Sequence, residues 1–159
     1  MSLVFLSLLA LSCQSNGVKP NAVPSPTNYH GWGFDVSLPN DCKLEKETKS
    51  DFDTYTITKG NHVLVFIYAG YHPSFPKSVP KTVKIRQTRI NGKFAQFARW
   101  EESNKHSEHV LIRIQSFEKI MRTKDKRPAF LHCIYGMLNA EDTEIADSII
   151  RSIQATETE

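Results

Sequence analysis

The chain has 159 residues, 40% of them hydrophobic and 23% charged, with a net charge of +3. That length holds one ordinary domain, or one domain and a tail, and the apolar content is enough to build a core. Seven glycines and eight prolines exclude collagen-like and low-complexity chains, three cysteines are too few for a disulfide scaffold, and +3 is too small to argue for nucleic acid.

Residues 1–12 carry no charge, and Leu3–Leu11 is an apolar run long enough for a signal-peptide core but too short to span a bilayer. Small Ser12 precedes Cys13. This start resembles a bacterial lipoprotein signal, with Leu9-Ala10-Leu11-Ser12-Cys13 as its lipobox. The resemblance implies cleavage before Cys13, lipid on its thiol and a periplasmic address. Gln14 follows the cysteine where an inner-membrane retention signal would carry Asp, which favours the outer membrane. The alternative is a buried apolar strand with an incidental cysteine. Residues 13–29 are polar and contain Pro20, Pro24 and Pro26, a composition that reads as a flexible tether. One folded domain is then expected over residues 30–155.

Within that domain, Phe34–Leu38 alternates apolar and polar residues as a half-buried strand does, and Pro39-Asn40-Asp41 ends it as a turn. Lys43–Thr48 reads as an edge strand, and Thr54–Thr58 alternates Tyr55 and Ile57 against threonines. Beyond a Gly60-Asn61 turn, His62–Ala69 is apolar on both faces and belongs in the middle of a sheet. Val83–Ile90 and Lys93–Trp100 flank Asn91-Gly92, a hairpin signal because both turn positions need positive φ. His109–Ile120 and Ala129–Leu138 complete the strands. Ile145, Ala146, Ile149, Ile150 and Ile153 then recur at helical spacing. Asn139 suits the helix N-cap, Glu141 and Asp142 its first turn and Arg151 its last. The fold class is therefore α+β: a single, mostly antiparallel sheet with a C-terminal helix packed on it.

The order resembles the PsbP/Mog1-like α/β/α sandwich. The likeness lies in Gly33-Phe34-Asp35-Val36-Ser37-Leu38-Pro39, in the hairpin Arg89-Ile90-Asn91-Gly92-Lys93 and in the closing strand–helix Phe130–Ile153. It implies a domain that binds partners or serves as an accessory factor. Some lipid-anchored domains of this kind resemble immunity proteins that neutralise antibacterial effectors.

With Cys13 lipidated, Cys42 and Cys133 remain as a candidate disulfide in an oxidising compartment. Such a bond would close a loop of about ninety residues and contribute roughly 4 kcal/mol. The alternative is two free thiols, with Cys133 a small buried hydrophobe.

Charge is unevenly spread. No acidic residue lies between Asp53 and Glu101, a window that holds Lys59, Lys77, Lys81, Lys84, Arg86, Arg89, Lys93 and Arg99. A second basic cluster runs from Lys119 to Arg127, and the C-terminal part from Glu141 is acidic. The window reads either as a basic face for an acidic protein or anionic headgroups, or as a solvated face with cations guarding an edge. Beside it, Tyr71, His72 and Phe75 sit in a proline-rich segment flanked by Lys77 and Lys81. These aromatics are either a recognition element or a cap on the core. The expected partner-binding set is thus Tyr71, His72, Phe75, Lys77, Lys81, Lys84, Arg86 and Arg89.

Enzyme signatures are sparse. Nucleophile-elbow, Walker and dinucleotide-glycine motifs do not occur. His106 and His109 are three apart, so a strand would point them to opposite faces, and both read as solvated. Cys133 follows His132, but adjacent strand residues face oppositely, against a thiol–imidazole dyad. Asp51, Asp53, Glu101 and Glu102 lie by turns, where exposure is expected. The sequence thus implies no catalytic residue, metal or cofactor. It points to a lipid-anchored periplasmic protein-binding domain with an acidic partner, membrane contact through its lipid and no nucleic-acid partner, with an immunity role as one version. The competing reading is an envelope accessory factor for lipid or a small ligand, or a small envelope enzyme.

Overall fold

The computed structural model of the protein describes residues 25–75, 83–115 and 128–156. The leader, Cys13, Lys77, Lys81 and the basic cluster from Lys119 to Arg127 lie outside the described residues. The described chain runs β1 (Thr27–Gly31), β2 (Phe34–Leu38), β3 (Cys42–Thr48), β4 (Asp53–Lys59), β5 (His62–Gly70), β6 (Lys84–Ile90), β7 (Lys93–Glu102), β8 (Lys105–Arg113), β9 (Phe130–Leu138), α1 (Ala140–Ser152) and β10 (Gln154–Ala155).

Among the described residues the expected α+β class is observed, antiparallel strands with one helix, but the strands form two sheets rather than one. A seven-stranded sheet has the order β3-β4-β5-β9-β8-β7-β6, and a three-stranded one the order β1-β2-β10. β2 leaves the large sheet because Pro39-Asn40-Asp41 turns the chain before β3, while Trp32-Gly33 folds β1 back onto β2. Gly33 has φ +77° with the Pro128 ring 2.8 Å from where a Cβ would stand, so a side chain is excluded twice over. β1 also takes in Thr27–Tyr29, assigned from composition to the tether. Pairing with β2 orders them, and Asn28 accepts a 2.6 Å hydrogen bond from Ser37.

Periodicity explains the core. Phe34, Val36 and Leu38 in β2, and Tyr55 and Ile57 in β4, are buried, while the polar residues between them are half-exposed. β5 lies between β4 and β9 in the middle of the sheet, and α1 packs on one of its faces. The helix forms where the isoleucine spacing requires it. The Asn139 side chain accepts from the Asp142 N–H at 2.8 Å, and Thr143 Oγ1 donates to the Asn139 carbonyl at 2.7 Å. Its inner residues Thr143, Ala146, Ile149 and Ile150 are buried against β2, β5, β8 and β9. Each buried isoleucine contributes roughly 1.5–3 kcal/mol. The Asn91-Gly92 turn also reaches the end of this helix, where Asn91 Nδ2 donates to the carbonyls of Ile153 at 2.6 Å and Arg151 at 3.3 Å. Those carbonyls would otherwise lack intrahelical partners.

A second tight turn, Ser103-Asn104 with φ of 51° and 61°, joins β7 to β8. It starts β8 at Lys105, four residues earlier than the apolar pattern from His109 had placed it.

Candidate functional site

β6 forms one edge of the large sheet, paired among the described residues only with β7. Residues 85–89 are all exposed, Ile85 at 48%. Strand alternation separates the cations that the sequence grouped: Arg86 falls on the helix-facing side and Arg89 on the other. The Arg86 guanidinium lies 5.0 Å over the Phe97 ring, while Arg89 turns back to donate to the Gly92 carbonyl at 2.8 Å. Beside β6 opens a cavity of about 580 Å³, lined by Ile85 and Arg86 of β6, Phe97 and Glu101 of β7, and His106 and Glu108 of β8.

The continuous basic face expected from the sequence is broken up, because other cations of the window meet carboxylates from distant segments. Lys59 reaches Glu141 at 3.3 Å and Asp41 at 3.8 Å. Arg99 donates to both oxygens of Glu108, at 3.0 and 2.9 Å, and to Asp147 on α1 at 2.7 Å. Tyr135 joins this cluster, its hydroxyl donating to Asp147 at 3.0 Å. Glu108 is only 2% exposed, and a carboxylate so buried requires a partner. The bonds to Glu108, then those to Asp147, raise the Arg99 pKa, and burial, then the Glu108 charge, raises that of Tyr135. The cluster pins α1 to the sheet.

Asp53 was expected to be exposed but is 5% exposed. It accepts from Tyr55 at 3.1 Å and pairs with Lys46 at 2.8 Å, so its place on β4 outweighs its nearness to a turn. The Tyr55 hydroxyl in turn accepts from the Trp32 N–H at 2.6 Å, and burial raises its pKa.

The opposite sheet face holds a cluster the sequence did not reveal. His109 Nδ1 lies 3.0 Å from His132 Nε2, so one ring donates and the other accepts. Trp100 stacks on His109 at 5.3 Å, and Phe75 lies 5.7 Å from the His132 ring and 6.4 Å from that of His109. His109 is therefore packed rather than solvated. Burial, reinforced by His109, lowers the His132 pKa to about 4, and burial also lowers that of His109. His106 faces the other side, 3.9 Å from Glu101, as its spacing from His109 required.

Phe75 thus packs its ring against the His109–His132 pair, the core-capping alternative for this segment. Tyr71 meets Trp32 edge-on at 6.4 Å, and exposed His72 donates its backbone N–H to the Tyr68 hydroxyl at 3.1 Å. The candidate disulfide is not formed: Cys42 and Cys133 are buried free thiols. β3 and β9 are separated by β4 and β5. Three strand steps of about 4.8 Å separate them by about 14 Å across the sheet alone, and their registers differ along the strands as well, so they lie beyond the roughly 7 Å that a bridge can span. Burial raises both thiol pKa values, with Asp41 adding to the effect at Cys42.

Trp100, His132 and Asp147 are the neighbours that the sequence reading missed. His132 faces Leu111 and Tyr68 across the sheet, a register that no local pattern encodes.

Among the described residues, no helix is long and apolar enough to cross a membrane. No family model and no curated protein matches the chain. A solved protein from Bacteroides thetaiotaomicron VPI-5482 is similar over 85% of this chain, at 9% identity and a TM-score of 0.43. The chain spans 49% of that protein's length.

Proposed function

We propose that this chain is a lipid-anchored envelope protein, carried on Cys13 in the outer membrane, whose domain binds another protein through β6. An immunity role, masking a secreted antibacterial effector, is the concrete version. The observation that carries the binding reading is the β6 edge: exposed from Ile85 to Arg89, cationic, and bordered by the cavity against Phe97. Elsewhere the charged side chains that converge are engaged with one another, as Arg99 is with Glu108 and Asp147. The anchoring reading rests on the apolar leader and Cys13.

Fractionation of the source cell, with crosslinking before lysis, tests both parts. Wild-type protein sediments with membranes and carries a stoichiometric crosslinked partner. Cys13→Ala moves the protein to the soluble fraction. Lys84→Glu with Arg86→Glu leaves it anchored but lowers partner recovery at least tenfold. Sedimentation of Cys13→Ala would remove the anchor, and unchanged recovery would remove β6 as the contact.

A further inference from the structure

The hydrogen-bond phase of the β6–β7 hairpin fixes what its outer edge offers. Ile90 and Lys93 flank the two-residue Asn91-Gly92 turn, whose φ values are 45° and 81°. The pair closing such a turn exchanges both backbone hydrogen bonds, and bonded and non-bonded pairs then alternate along the ladder. Thr88–Ala95, Arg86–Phe97 and Lys84–Arg99 are therefore bonded pairs. Ile85, Gln87 and Arg89 belong to the other set, and their N–H and C=O groups point away from β7. These are the groups that an added strand would engage.

The two edges of the large sheet differ. β3, CKLEKET, carries charges of both signs, and its Lys46 is paired with Asp53. Mixed charge of this kind blunts an edge. β6, KIRQTRI, carries only cations, contains no proline and keeps one register along its length. Pairing β6 with a second copy would bring two strands whose charges are all positive onto one seam, a crowding of like charge that an acidic segment avoids. Among the described residues, the two carboxylates lining the cavity beside it are otherwise engaged: Glu108 is held by Arg99, and Glu101 lies toward His106. Among the described residues, Arg86 meets the Phe97 ring and no carboxylate within 4 Å.

We propose that the outer edge of β6 accepts an extended, acidic segment of the partner protein as an added strand. Backbone pairing runs through Ile85, Gln87 and Arg89, and acidic side chains of the segment meet Arg86. This rests on the reading of β6 as the partner contact and adds the conformation and charge of what it binds.

The probes are synthetic eight-residue peptides alternating glutamate with valine, or lysine with valine, titrated against the whole mature protein. The glutamate peptide binds, the lysine peptide binds at least tenfold more weakly, and amide exchange at Ile85, Gln87 and Arg89 slows at least tenfold. Gln87→Pro removes one outward N–H and no β6–β7 bond, and weakens the glutamate peptide at least tenfold. Arg86→Glu, which leaves the backbone unaltered, does the same. Equal binding of the two peptides, no binding of either, or unchanged affinity in a folded Gln87→Pro protein would overturn strand addition. If Lys84→Glu with Arg86→Glu abolishes partner recovery while Gln87→Pro leaves peptide and partner bound, the contact stands and strand addition falls. If neither variant alters recovery, the contact itself falls.

Discussion

His132 is 1% exposed, and its ring shares a hydrogen bond with His109 under Phe75 and Trp100. Tyr68 lies beside it in register and His72 stands on the covering segment, and among the described residues no carboxylate is paired with either ring. In the unfolded chain both histidines titrate near 6.5, whereas in the fold His132 titrates near 4. Between those values the unfolded chain binds more protons. Stability from this pair is therefore full above about pH 6.5 and lost as pH falls toward 4, on the order of 3 kcal/mol from His132. Urea midpoints measured from pH 7 to 4.5 should fall less steeply for His132→Gln than for the wild type. Equal slopes would show that the pair is not the source. Neither ring was legible in the sequence as packed. His109 follows a polar run, and its environment is assembled from β7, β9 and the segment after β5.

At the scale of elements, the hairpin turn does two jobs. Asn91 adopts positive φ for the turn and caps carbonyls at the end of α1. Asn91→Gly keeps the first and removes the second, so thermal unfolding should show a loss of about 1 kcal/mol, in the range of a lost hydrogen bond. Asn91→Ala adds the backbone cost of a left-handed residue, for about 2 kcal/mol in all. Equal stability of Asn91→Gly and wild type would show that the cap contributes nothing. The turn itself was legible because Asn-Gly is a local signal, as were β5 from its continuous apolar run and α1 from its isoleucines. The departure of β2 into a second sheet was not. Its partner β10 lies beyond the helix, and alternation in Phe34–Leu38 specifies a buried face without saying which strand lies alongside. The Ser103-Asn104 turn was missed for a related reason: both residues adopt positive φ without the glycine that marks the other turn.

For the whole molecule, the small net charge hides how the chain spends its cations. Arg99 and Lys59 lie within the long basic window of the sequence, yet both meet carboxylates contributed by α1. Long-range ion pairs of this kind do not show in charge runs, which is why the candidate face was legible as a region and not as a set of residues. Among the described residues, what remains of the window for a partner is the outer strand β6, with Arg86 and Arg89 on opposite sides of it. The most direct measurement places a photocrosslinking residue at Gln87 on β6 and, separately, at Glu45 on β3, the other edge of the same sheet. In the source cell, position 87 should yield one discrete adduct with a partner protein and position 45 none. An adduct from position 45 alone, or equal adducts from both edges, would contradict binding through β6.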